Sequence, residues 1–191
     1  MRRSLLVVAA VLLLGGCAAP VQTDSHHAPD CQTAGHPGSN PVVLMAQAVP
    51  TASLLPCIAL LPTGWHPERE LDIRSGRATF ALGSDRAGPY AVRVVLAADC
   101  KVTGATEVPS DELGTRRYEL VAGVRGGYQG TRFYRFDGGC VTYEFHLTGE
   151  GRAVPVSEAT LVLGFVSRSN LDIQVREETG GLRLNPPPAG P

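Results

Sequence analysis

Lysine is almost missing from this chain: Lys101 is the only one among 17 basic residues, and the other 16 are Arg. Against 18 acidic residues this gives a formal net charge of -1. No surplus of positive charge is left to hold nucleic acid, so nucleic acid is excluded as a partner. The Arg preference reads as the mark of a GC-rich genome. A long hydrophobic run is absent as well. The apolar stretch from Leu5 to Leu14 is half the ~20 residues that a bilayer-spanning helix requires. The sequence also holds no Gly-x-Ser-x-Gly elbow, His-Glu-x-x-His, phosphate loop, dinucleotide fingerprint, EF-hand loop or Cys-x-x-Cys. Nothing in it implies a cofactor.

The amino terminus carries a specific pattern. Arg2 and Arg3 precede the short apolar run, and small residues follow it, the layout of a secretory signal peptide rather than a permanent anchor. The small residues are Leu14-Gly15-Gly16-Cys17, which resemble the lipobox of bacterial lipoproteins. The resemblance covers the export segment alone. It implies that the Cys17 thiol receives a diacylglyceryl group and that signal peptidase removes residues 1–16. Two acyl chains would give stable anchoring. The mature chain would carry 15 basic and 18 acidic groups, a formal charge of -3. Ala18 stands where an Asp tends to retain lipoproteins in the inner membrane. The resemblance therefore implies the outer membrane in a two-membrane host, or the outer surface of the plasma membrane in a high-GC actinobacterium.

Residues 17–41 are rich in Ala, Pro, Ser, Thr, Gly and His and lack apolar periodicity, so a flexible tether is expected. The tether gathers Asp24, His26, His27, Asp30, Cys31 and His36. These are metal-ligand types, but no second shell fixes them, and a solvated linker is the expectation. Residues 42–184 form one globular domain, and residues 185–191 form a disordered tail.

Within the body, Thr51–Leu61 is expected to be an apolar helix ending at Pro62-Thr63-Gly64, although Pro56 must sit in its first turn or break it. Period-two alternation then predicts strands at Leu71–Arg74, Arg77–Leu82, Tyr90–Ala97, Arg116–Val121, Arg132–Phe136 and Cys140–Leu147. Phe80 and Leu82, then Val92, Val94 and Leu96, then Tyr118 and Leu120, then Val141, Tyr143, Phe145 and Leu147 would share the covered face. A helix capped by Ser157 would run to about Ser167. A second would start at a Ser169/Asp172 capping box and stop at Gly180-Gly181. The expected fold is α+β: an antiparallel sheet of about six strands, helices packed on one face, and two disulfides.

With Cys17 assigned to lipid, four cysteines remain, and an even count in an exported domain points to two disulfides. If successive strands alternate up and down, Cys100 and Cys140 lie at the same end of the sheet. Cys100–Cys140 is therefore favoured, leaving Cys31 for Cys57.

Of the five His, only His66 and His146 fall in the body. A sheet face bearing Arg93, Arg117, Glu119, Glu144 and His146, with Arg132 or Arg117 beside His146, is a candidate binding surface or a solvated face of cross-strand charge pairs. Trp65 would rim a pocket with His66, or anchor the first helix to the sheet. The long connection Val102–Leu113 ends in Asp111-Glu112, a weak calcium signal. The expected function is a non-catalytic binding or accessory module, moored to the membrane through Cys17 and meeting an envelope protein partner. The alternatives are an envelope hydrolase using His66 or His146, and a carrier of a small ligand or lipid.

Overall fold

The structure is a computed structural model that describes residues 28–32, 40–123, 127–148 and 153–187. Residues 1–27, with the export segment and Cys17, lie outside the described residues, as do His36 and the last four residues. The elements are α1 (Pro41–Ala48), β1 (Leu54–Ile58), β2 (Trp65–Arg74), β3 (Arg77–Ser84), β4 (Gly88–Ala97), β5 (Thr106–Val108), β6 (Arg116–Gly123), β7 (Gly127–Phe136), β8 (Gly139–Thr148), α2 (Ala153–Val162), β9 (Leu163–Ser167) and α3 (Arg168–Glu178).

The main sheet is antiparallel, with seven strands in the order β2-β3-β4-β8-β7-β6-β5. It is thus larger than expected, because the Val102–Leu113 connection contributes the edge strand β5. Alternation orients its centre. Val94 lies between Phe80 and Tyr143, and Val141 opposes both Leu96 and Tyr134. These side chains are buried. The β7–β8 hairpin turns at Gly138, with φ +67°, where a Cβ would drive into the Thr51 carbonyl. A side chain is excluded there on both counts.

A second layer covers this inner face. β1 pairs antiparallel with β9, from Leu54 opposite Ser167 to Ile58 opposite Leu163. The Phe165 ring packs against Tyr134, Tyr143 and Phe136 at 5.4, 6.5 and 6.1 Å between centroids. The expectation of helices alone above the sheet is therefore corrected: a two-stranded ribbon shares the layer, and α3 packs against β9.

The expected helix at Thr51–Leu61 is corrected to strand β1. Leu54–Ile58 is an unbroken apolar run, whose periodicity cannot separate a buried strand from a helix. Pairing with β9 decides it. The helix lies earlier, where Asn40 caps it by accepting from Val42 N at 2.9 Å and Pro41 opens it. The helix expected to run to Ser167 stops at Val162, and β9 takes its last five residues. α3 is capped by Ser167 rather than Ser169, its Oγ accepting from Asn170 N at 3.2 Å. The Asp172 carboxylate instead accepts from Leu184 N at 2.9 Å. Past Leu184, Asn185 is held by the Gln47 amide at 3.0 Å and by Arg168 Nη2 at 2.6 Å.

Both disulfides are present. Cys100–Cys140 has its Cα atoms 5.8 Å apart beside the Ala97/Cys140 pair of β4 and β8. Cys31–Cys57, at 5.0 Å, fastens the end of the expected tether to β1. That segment also bonds in parallel to β1, with Ile58 N donating to Pro29 O and Cys31 N to Ile58 O. Two disulfides belong to an oxidising, extracytoplasmic compartment. Among the described residues, no helix is long and apolar enough to cross a membrane.

Candidate functional site

The five residues expected on one polar face divide between the two faces of the sheet. Arg93, Glu144 and His146 lie on the outer face, where Arg93 and Glu144 are register partners and form an ion pair at 3.2 Å. His146 is exposed and opposes Gln129, so its expected neighbour Arg132 is corrected. Arg132 opposes Tyr143 on the inner face, and Glu119 opposes Arg132. Arg117 shares that inner face, two residues before Glu119.

Tyr118 and Leu120 accordingly point outward, against expectation. Tyr118 is nonetheless buried, with the Arg116 guanidinium 5.6 Å from its ring centre. Its apolar character marks an outer surface that its neighbours cover, so alternation in β6 misled about which side faces the core.

The inner polar group is compact. Arg132 Nε donates to Glu119 Oε1 at 2.9 Å, and its Nη1 reaches Thr160 Oγ1 on α2 at 3.2 Å. Asp111 accepts from the Tyr134 hydroxyl at 2.9 Å and pairs with Arg117 at 3.0 Å. Arg117 Nε lies 3.5 Å from Glu119 Oε1. That approach falls outside hydrogen-bond geometry, and the nitrogen is buried without a bonding partner among the described residues. Two guanidinium groups thus meet two carboxylates, so the group is charge-neutral and clamps β6, β7, α2 and the Asp111 loop together.

Burial opposes ionisation of Asp111, but hydrogen bonds from Tyr134 and Arg117 outweigh it and hold the carboxyl below its usual range. Glu112 next to it is pushed up, by burial first and by the Asp111 charge second. Asp111 is therefore engaged with Arg117 and Tyr134. Among the described residues, no group of three or more His, Cys, Asp or Glu is placed to hold a metal ion. Of the metal-like residues in the tether, Asp24, His26, His27 and His36 lie outside the described residues, and Cys31 is oxidised to a disulfide.

Strand alternation separates Trp65 from His66. Trp65 turns inward, is 5% exposed, and donates from Nε1 to Glu158 Oε2 on α2 at 2.9 Å. Arg86 holds the same carboxylate at 2.5 and 2.6 Å. Trp65 therefore anchors α2, not the first helix. His66 is exposed, with Nε2 3.2 Å from Glu68 Oε1 and Nδ1 4.0 Å from Asp85 Oδ1. Gly83 makes this possible, because a Cβ there would collide with the Glu68 carboxylate.

A groove of about 300 Å³ opens on the outer face, lined by Asp72, Thr79, Tyr90 and Arg93. Tyr90 stands at φ +49°, a backbone region that non-glycine residues rarely occupy. No local pattern announces this groove, because Asp72, Thr79 and Arg93 meet only through the register of three paired strands.

Neither the protein-family models, the curated proteins nor the solved structures yield a match to this chain.

Proposed function

We propose that the chain is a lipid-anchored cell-envelope lipoprotein whose body acts as a non-catalytic binding or accessory module. The observation that carries this reading is the Cys31–Cys57 joint. It ties the segment following the lipobox covalently to the body, which suits a tether that must hold a domain at a membrane. The outer-face groove beside Arg93 and Glu144 supports a binding role, since it offers an aromatic ring and charges of both signs to a polar partner.

Two measurements test it together. Mass spectrometry of the native mature product should find a diacylglyceryl-modified Cys17 as first residue. Cross-linking in the intact envelope should recover a specific protein partner, with recovery lost on Arg93→Ala. An unacylated Cys17, or an intact leader, ends the anchoring part of the reading.

A hydrolase using His66 is the second reading, supported by the carboxylate contact at its Nε2. It expects hydrolytic activity of envelope preparations to vanish on His66→Ala. The carrier reading has less support, because Tyr134, Tyr143, Phe145 and Phe165 pack ring against ring between the sheet and its cover.

A further inference from the structure

The β1–β9 ribbon has two unlike ends. At the Leu54/Ser167 end, α1, α3 and the carboxy-terminal strap gather: Arg168 N donates to Ser53 O at 2.8 Å, and Arg168 Nη1 to Ala46 O at 2.7 Å. At the Ile58/Leu163 end lies the Cys31–Cys57 joint. There Ala59 N and Leu60 N both donate to Val162 O, at 2.7 and 3.4 Å. This brings the loop after β1 against the last turn of α2.

That second end is apolar and open. Leu60 is 59% exposed, Leu61 41% and Leu161 65%. A groove of about 490 Å³ runs beside them, lined by Ala28, Ile58, Ala59, Leu60 and Leu61 together with the polar Asp30 and Gln32. Across residues 28–32, 58–62 and 161–164, Asp30 is the only charged side chain. A soluble surface seldom groups large apolar side chains without a partner. The chain's own connectivity says what lies opposite. Thirteen residues separate Cys17 from Cys31, and fully extended they span at most about 50 Å. Because the joint fixes Cys31 to β1, this end is the part of the body where a chain rooted at Cys17 arrives.

We infer that Leu60, Leu61 and Leu161 form a foot that seats in the lipid surface, entering the boundary between headgroups and acyl chains. The inference rests on the anchoring reading above, and it adds an orientation: the ribbon's Ile58/Leu163 end faces the bilayer, and α1 faces away. Its nearest charges are Asp30 and, one turn back from Leu161 on α2, Glu158 neutralised by Arg86. With no surplus of positive charge, the foot binds by apolar burial rather than by attraction to anionic lipid.

The test uses the full acylated chain in vesicles of phosphatidylethanolamine and phosphatidylglycerol that contain brominated acyl chains. Leu60→Trp is compared with Leu44→Trp on α1 at the opposite end, where Leu44 is 54% exposed, after subtracting the emission of Trp65. Quenching of the introduced indole should be about threefold or more greater at position 60 than at 44, and salt should leave it unchanged. Leu161→Trp should repeat the result from the helix side, which guards against misfolding of either variant. Equal quenching at both ends in chains whose Cys17 is acylated overturns the foot and leaves the anchoring intact. Quenching that collapses in high salt overturns the apolar mode. A Cys17 found without lipid overturns the foot together with the anchoring it rests on.

Discussion

Arg132 and Glu119 face each other across β7 and β6, Nε 2.9 Å from Oε1, on the side of the sheet that carries the core. The Arg132 side chain is only 12% exposed, and it also reaches α2 through Thr160. Removing the carboxylate leaves a guanidinium largely out of water with its charge unmatched. Glu119→Gln should lower stability by about 1–3 kcal/mol, read as a lower urea midpoint. Arg132→Met combined with Glu119→Leu should lose less than the two single losses added. A loss for Glu119→Gln below about 0.5 kcal/mol would mean that water already screens the pair.

Trp65 is the sole Trp, and its bond to Glu158 turns it into a reporter of α2. The Trp65 N–H first, and Arg86 after it, hold the Glu158 carboxyl below its ordinary 4.5. A carboxyl lowered by folding stabilises the folded state above that ordinary value, and the contribution fades as pH falls through the lowered one. Emission from Trp65 should therefore shift to the red as pH drops from about 7 to about 3. Glu158→Gln should flatten the response. A wild-type spectrum unchanged over that range would show that Glu158 does not govern the contact.

What the sequence revealed and what it hid follow from one physical distinction. Where a strand has one covered face, alternation was legible: Val141, Tyr143, Phe145 and Leu147 on β8 are all buried as read. Where a segment is apolar throughout, alternation is absent and the reading failed. Leu54–Ile58 is buried along almost its whole length, and in Leu163–Ser167 only Leu163 is buried while the rest are half-buried, so neither segment carries a period that separates a strand from a helix. The site suffered the opposite failure. Arg117 and Glu119 were assigned outward because charge ordinarily seeks water, but Asp111, Arg132 and Thr160 come from other elements to satisfy them within. Partners so distant in sequence leave no local pattern. The disulfide pairing came out right although successive strands do not all alternate: β4 and β5 run in the same direction, and it is the direct β4–β8 pairing that brings Cys100 and Cys140 to one end.

The two disulfides close loops between Cys31 and Cys57 and between Cys100 and Cys140, with sequence separations of 26 and 40. Opening either returns loop entropy to the unfolded chain, ~3–4 kcal/mol on the chain-entropy estimate. The two losses should differ in character. Cys100→Ser with Cys140→Ser should lower the melting temperature of the whole body. Cys31→Ser with Cys57→Ser should in addition expose the peptide bonds around residues 28–32 to protease at temperatures where the sheet is still folded. Simultaneous loss of protease resistance throughout the chain in the second variant would contradict a separable joint.

Tyr134 and Tyr143 set the alkaline limit of the fold. Burial, opposed by the Arg132 charge and reinforced by the bond to Asp111, pushes the Tyr134 hydroxyl up to about 12. Burial likewise drives Tyr143 well above 10, and its hydroxyl has no hydrogen-bond partner among the described residues. In the unfolded chain both titrate near 10. A phenol raised by folding leaves stability intact below pH 10. From there upward the unfolded state loses its proton first, so stability falls until the folded hydroxyl ionises as well. Burial raises Tyr128 as well, so absorbance at alkaline pH should show Tyr134 and Tyr143 withheld furthest behind the first phenolate rise of the five tyrosines, appearing only at higher pH or on unfolding. Tyr143→Phe removes a buried hydroxyl that makes no bond, so it should preserve stability at neutral pH and reduce the alkaline loss. Tyr134→Phe breaks the bond to Asp111 and should cost about 1 kcal/mol at neutral pH. If all five phenols titrated together near pH 10 in protein that is still folded, the packing of these two rings against Phe165 would have to be wrong.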